Sequence, residues 1–302
     1  MSGALEELVG AELANPVEPR VAAMAAALAA SYPGAAQAVL FYGSCLRESR
    51  LDGLMLDFYL IVSDYEAAYG KGWLARANRL IPPNVFPFSH GGLSAKYAVL
   101  SVADYARLCG ESADNVSVWA RFAQPARLVW SAGEGARGAV VAATAQAGAT
   151  LLALALPGME GDRRADWRAA FEQGFAHTYG AELRAERKGR SSSIVDSAPD
   201  YYRALFAAAC ADGRIAPAAA VTAAAVRANA RRWRHLKRRG KALSVVRLAK
   251  ASFTFAGGID YLAWKINRHA GTEIVLSPWQ RRHPLLAAFT LLPRLLASRA
   301  VR

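Results

Sequence analysis

The chain has 302 residues, 54% apolar and 20% charged, a balance that excludes a mainly disordered protein and leaves room for two globular domains. Lys and Arg number 37 against 24 Asp and Glu, a net charge of +13, so an anionic partner is expected. The excess is local: residues 213–302 hold 18 Lys and Arg against only Asp260 and Glu273, and the first 212 residues are slightly acidic.

Cys45, Cys109 and Cys210, odd in number and without CxxC spacing, supply neither a disulfide framework nor a thiolate zinc site and point to a reducing compartment. Residues 1–20 have no basic stretch leading into an apolar one and carry Glu6, Glu7, Glu12 and Glu18, so no export or import signal is expected. Two uncharged runs are long enough to be weighed as membrane spans. Ser31, Pro33 and Gly34 break residues 21–46, and Thr144, Gln146 and Thr150 lie within 138–159, so both are expected to hold buried helices.

In chain order, the pattern predicts a helix over 20–30 stopped by Pro33 and Gly34, then a short buried strand over 38–42 leading into Gly43 and Ser44. Residues 54–62 predict a strand buried on both faces in which Asp57 is the one charge. A loop containing Pro82, Pro83, Pro87, Gly91 and Gly92 precedes a third strand over 96–101, and helical pattern dominates from Asp104 onward. Strands early and helices late predict an α+β chain: an α+β domain over 1–133, a helical domain over 134–240 and a basic, amphipathic C-terminal region over 241–302. Within the basic third, 221–239 reads as a helix with Arg227, Arg231, Arg234 and Arg238 on one face. Residues 284–299 begin with Pro284 and stay apolar until Arg294, with Pro293 as a kink, which suits an interfacial segment better than a span. Arg231, Arg234, Arg238, Leu291 and Arg294 are the residues expected to face a membrane.

The stretch FYGSCLRESRLDGLMLDFYLIV places Asp57 in a strand 12 residues after a Gly43-Ser44 turn. Glycine lets a backbone approach phosphates, a hydroxyl and amides donate to them, and a carboxylate on the next strand can hold Mg²⁺ against them. By themselves these residues read more readily as a strand turn beside a hydrogen-bonded core aspartate. The pattern resembles the DNA polymerase β nucleotidyltransferase superfamily, whose signature is a Gly-Ser turn followed by an Asp-x-Asp or Asp-x-Glu strand. Here Tyr59 stands where the second carboxylate would be. That leaves Asp52, Asp64, Glu182 or a single-metal arrangement as alternatives.

A second resemblance runs through residues 40–265 with gaps. The Tyr42-Gly43-Ser44 turn with MLDFYLIV, then KYAVLS, WARFAQPARLV and TYGAELRAERKGR, in that order, are similar to the mitochondrial-type CDP-diacylglycerol synthases, the translocator assembly and maintenance family. Weaker agreement continues in SVVRLAKASFTFAGGIDYLAWK. The resemblance implies a nucleotidyltransferase fold and a phosphatidate cytidylyltransferase that makes CDP-diacylglycerol and pyrophosphate from CTP and phosphatidate. It implies that Tyr42, Gly43 and Ser44 form the turn that takes the CTP phosphates, that Asp57 binds Mg²⁺, and that Lys96, Arg121 and Arg184 neutralise phosphate charge. Ser44, Asp57 and Lys96 would be the catalytic set. Cys45 departs from a usual glycine and Glu182 from a usual Asp, so Glu182 is placed among the substrate-binding residues by position. Without the resemblance, Lys96, Arg121 and Arg184 read as solvated or ion-paired charges.

His90, His177, His235, His269 and His283 show no metal-ligand spacing and receive no role. None is required, because a phosphate monoester is already ionised near neutral pH and phosphoryl-type transfer depends on positioning and charge neutralisation. The basic third predicts a peripheral protein on the cytoplasmic face of the cell membrane, with no nucleic acid as partner. Two alternatives stay open: a nucleotidyltransferase acting on RNA, and a catalytically degenerate adaptor of the same fold.

Overall fold

The structure, a computed structural model, describes residues 3–48, 50–181, 190–217, 219–254 and 277–279. The three apolar runs expected as strands form β1 (Ala36–Tyr42), β2 (Met55–Val62) and β4 (Leu93–Ser101), joined by β3 (Asn84–His90) and β5 (Ala126–Ser131). They make one mixed five-stranded sheet of order β3-β4-β2-β1-β5, in which β2 and β4 run parallel and the other pairs antiparallel. The parallel pair requires a crossover, supplied by α3 (Tyr65–Tyr69), α4 (Trp73–Leu80) and β3. The strand β3 replaces the expected loop; Pro87 is tolerated in it because β3 is an edge strand.

Helices cover both faces of the sheet. Ala38, Leu40, Tyr59, Ile61, Ala98 and Leu100 share a buried core with α1 (Ala4–Leu13), α5 (Val102–Cys109), α6 (Trp119–Phe122), α7 (Glu134–Ala155), α8 (Trp167–Tyr179), α9 (Arg190–Asp196) and α10 (Pro199–Ala211). The alternate residues, Val39, Phe41, Phe58, Leu60 and Val99, pack with α2 (Pro19–Ala30), Tyr65 of α3 and Ala75 of α4. That alternation is the two-residue period of the pleat. The first core takes side chains from both sides of residue 133, so the α+β and helical regions are packed as one body there.

One described helix, Glu134–Gly158, is long and apolar enough to cross a membrane, but 67% of its most apolar window is buried. Its contacts with α1, α5, α6 and α8 account for that apolarity.

The last long element, α11 (Ala223–Thr254), passes through the boundary expected at residue 240. A Cβ on Gly240 would collide with the Ala181 carbonyl oxygen, so this glycine marks a close approach to α8's end and not a helix stop. Trp233 donates to the Leu154 carbonyl at 2.9 Å and stacks on His177 at 4.6 Å. Further along, Arg232 donates to the Glu111 carbonyl at 2.9 Å, Arg239 to Asp114 at 2.6 Å, and Arg247 to the Pro82 carbonyl at 2.9 Å and the Ser117 hydroxyl at 3.0 Å. Lys250 donates to the Ile81 carbonyl. Four basic side chains thus tie α11 to the segment before β3 and the segment after α5.

Burial, and then the charge of Arg247, pull the Lys250 ammonium from its ordinary 10.5 down to about 7. Between those values the unfolded chain keeps a proton that the folded chain has released, so wild-type stability from this group rises with pH. Lys250→Met is expected to stabilise the protein by roughly 2 kcal/mol at pH 7. Urea denaturation across pH 7–10 checks it: the advantage should shrink as pH rises.

Candidate functional site

The strand register sets one row of side chains across the sheet. Tyr42 of β1 faces Asp57 of β2, Asp57 faces Lys96 of β4, and the row ends on Ala126 of β5 and Pro87 of β3. Cross-strand partners point to the same face, so Tyr42, Asp57 and Lys96 stand together at the rim of the larger core. Lys96 Nζ lies 3.0 Å from Asp57 Oδ1, and the two side chains are 29% and 21% exposed. A charged pair half out of water is weak as a source of stability. Open to solvent on one side, it is well suited to receive a charged ligand.

Gly43 follows Tyr42 directly, with φ +95°, in the region that disfavours L side chains. A Cβ there would lie 3.3 Å from Asp57 Oδ2, tighter than nearly all real contacts. The absent side chain therefore lets the chain turn sharply against the carboxylate. Exposed Ser44 opens the 3₁₀ turn Ser44–Arg47 next to it. Cys45 is 8% exposed and packs in the smaller core, where burial, followed by the Asp57 and Glu48 charges, pushes its thiol up. A thiol kept protonated is a packing group and not a nucleophile.

Tyr59 is 3% exposed, with ring contacts to Tyr42 at 5.2 Å and Phe122 at 5.1 Å. Phe122 in turn meets Tyr105 at 5.0 Å, and Tyr105 shares a 2.7 Å hydrogen bond with Thr144. The position two after Asp57 is thus the aromatic floor of the row, and a carboxylate there would be buried.

Two of the residues weighed as second metal ligands are engaged elsewhere. Asp52 is exposed and bound by Arg20 at 2.7 Å, which also holds its carboxyl below the usual range. Asp64 caps α3, accepting from the Glu66 and Ala67 amides, about 20 Å along the strand from Asp57. Glu182 and Arg184 lie outside the described residues, as do Leu291 and Arg294. Among the described residues, no group of three or more His, Cys, Asp or Glu side chains forms a metal cluster. One carboxylate still fits Mg²⁺, which commonly takes one or two carboxylates and fills its remaining positions with substrate phosphates and water.

Arg121 sits on α6, half-buried, its guanidinium donating to the Ser117 carbonyl, one residue before Phe122 on the floor of the row. Arg231, Arg234 and Arg238 are exposed on α11, in line with Arg227 and Lys241, while Trp233 and Leu236 are buried on its inner side. Sequence reasoning missed Phe122, Pro87 and Ala126 as neighbours of the row. The alternation Phe86-Pro87-Phe88 was the one local signal for β3.

No protein-family model matches the chain, and no curated protein matches it significantly.

The approach of Gly43 to Asp57 separates two effects that an alanine would have. Gly34 has φ +73° with nothing within 4 Å of its missing Cβ, so Gly34→Ala adds backbone strain alone, about 1 kcal/mol. Gly43→Ala adds strain plus the contact with Asp57 and is expected to cost about 2 kcal/mol or more. Urea midpoints of the two variants give the comparison.

Proposed function

We propose that the chain is a nucleotidyltransferase-fold enzyme, an Mg²⁺-dependent phosphatidate cytidylyltransferase working at a membrane surface. The observation that carries the reading is the pair Asp57 and Lys96 beside the positive-φ Gly43. It supplies a carboxylate for a metal, a cation for phosphate and an unobstructed backbone turn within one row. The resemblance of four ordered blocks to the mitochondrial-type CDP-diacylglycerol synthases supplies the substrates.

In this reading the Gly43 turn and the Ser44 hydroxyl hold the CTP phosphates, and the Lys96 ammonium neutralises charge on them. Asp57 holds Mg²⁺, which when bound supplies further neutralisation of the triphosphate. Arg121, and Glu182 and Arg184 from beyond the described residues, complete the substrate-binding set. An ionised phosphate oxygen of the lipid attacks the α-phosphorus in line, forming a new P–O bond as the bond to the β-phosphate breaks and pyrophosphate leaves. No side chain has to remove a proton. The exposed cations of α11, Arg227 to Lys241, face the anionic leaflet from the cytoplasmic side, each contributing about 1 kcal/mol.

The burial of Tyr59 favours a second reading, an adaptor of the same fold that has lost its metal site. The two are separated by incubating purified protein with CTP, Mg²⁺ and phosphatidate in anionic liposomes and measuring pyrophosphate and CDP-lipid. Wild-type turnover should fall at least about 100-fold in Asp57→Ala and about 10-fold or more in Lys96→Met. Folded, vesicle-bound wild type that yields neither product would overturn phosphatidate as the acceptor; absence of Mg²⁺-dependent CTP binding as well would favour the adaptor, and pyrophosphate release on RNA in place of lipid would redirect the acceptor.

A further inference from the structure

The helix α4 carries large apolar side chains on its outer face as well as its inner one. Its inner stripe is formed by Leu74, Ala75 and Asn78, of which Ala75 and Asn78 are buried, and the Asn78 amide donates to the Val99 carbonyl of β4 at 2.9 Å. Trp73 and Leu80, seven residues apart, fall on the opposite, outermost face, 50% and 79% exposed. Scattered exposed apolar residues are common and mean little. Two large ones at the apex of one short helix, pointing directly away from the sheet, are a patch.

The surroundings of the patch are basic. Residues 71–83 contain Lys71, Arg76 and Arg79 and no acid. Arg79 pairs with Glu66 of α3 at 3.0 Å, whereas Lys71 and Arg76 have no ion-pair partner among the described residues. Arg76 lies beside the Trp73–Leu80 line on the helix surface. Immediately after Leu80, Arg247 and Lys250 of α11 fasten the Ile81 and Pro82 carbonyls, which brings Val246, 42% exposed, onto an element anchored at the same corner. Tryptophan and leucine flanked by exposed cations match the layering of an anionic bilayer, with apolar groups below the headgroups and ammonium or guanidinium at the phosphates.

We propose that the outer face of α4 is a lipid-contact surface, with Trp73 and Leu80 entering the headgroup region of an anionic membrane while Lys71 and Arg76 meet its phosphates. This adds to the membrane reading above a contact made by the sheet domain itself. It stands on α4's own residues, whether or not the protein transfers a nucleotide.

The test is vesicle co-sedimentation without nucleotide, using phosphatidylcholine vesicles with about 30% phosphatidylglycerol beside pure phosphatidylcholine. Trp73→Ala and Leu80→Ser should each weaken partition to the anionic vesicles roughly tenfold. Both sites are exposed, so folding should be unaffected, and circular dichroism checks it. Brominated lipid should quench wild-type tryptophan emission more than that of Trp73→Phe. Unchanged partition of both variants, or equal quenching with and without Trp73, would overturn the proposal. So would a Trp73 already shielded from an aqueous quencher before vesicles are added, which would show that protein covers the patch. The double variant Arg231→Glu/Arg234→Glu tests the α11 contact separately, and CDP-lipid formation plays no part in the readout.

Discussion

With helices packed on both faces, the sheet leaves the side chains of β1, β2 and β4 no route to water except at the strand ends. Across those three strands there are two formal charges, Asp57 and Lys96, and they are register neighbours 3.0 Å apart at the rim. The pair can exist because each meets the other and because the cover ends there. Everything else at the site follows: Tyr42 and Tyr59 floor it, Gly43 turns away without a side chain, and Ser44 emerges into solvent.

Much of this was legible as sequence. The runs that became β1, β2 and β4 are apolar on both faces, and a lone Asp57 in such a run stands out. The adjacency of Asp57 and Lys96 was not legible, because it depends on parallel pairing of strands that a crossover separates. The edge strands β3 and β5 were missed for a related reason. An edge strand can carry Pro87 or Arg127 and need not be apolar on both sides, so its pattern fades into that of a loop. The helix expected over 221–239 continues through Gly240 to Thr254. Only the Ala181 carbonyl, brought up by tertiary packing, explains why Gly240 lacks a side chain within a continuous helix.

Tyr59 shows how packing bears on chemistry. Its ring belongs to a series running through Phe122 and Tyr105 to Thr144 of α7. The long apolar helix that resembles a membrane span by composition is therefore part of the support beneath the row. Its alanine-rich surface permits close approach by α1, α5, α6 and α8, and the aromatic side chains fill the space between those helices and the sheet.

The cations of α11 are divided between its two sides. Arg232, Arg247 and Lys250 are directed at carbonyl oxygens, and Arg239 at Asp114, while Arg227, Arg231, Arg234, Arg238 and Lys241 are directed at solvent. Hydrogen bonds to backbone oxygens act over contact distance and respond little to dissolved ions, whereas an exposed row of like charges is screened over roughly 8 Å at physiological ionic strength. One helix thus joins contacts to backbone oxygens, which salt leaves largely in place, to a charged surface that salt regulates. Changing salt would alter what the helix attracts from outside more than its carbonyl contacts with the body, with the partly exposed Arg239–Asp114 pair the part of the hold that salt weakens.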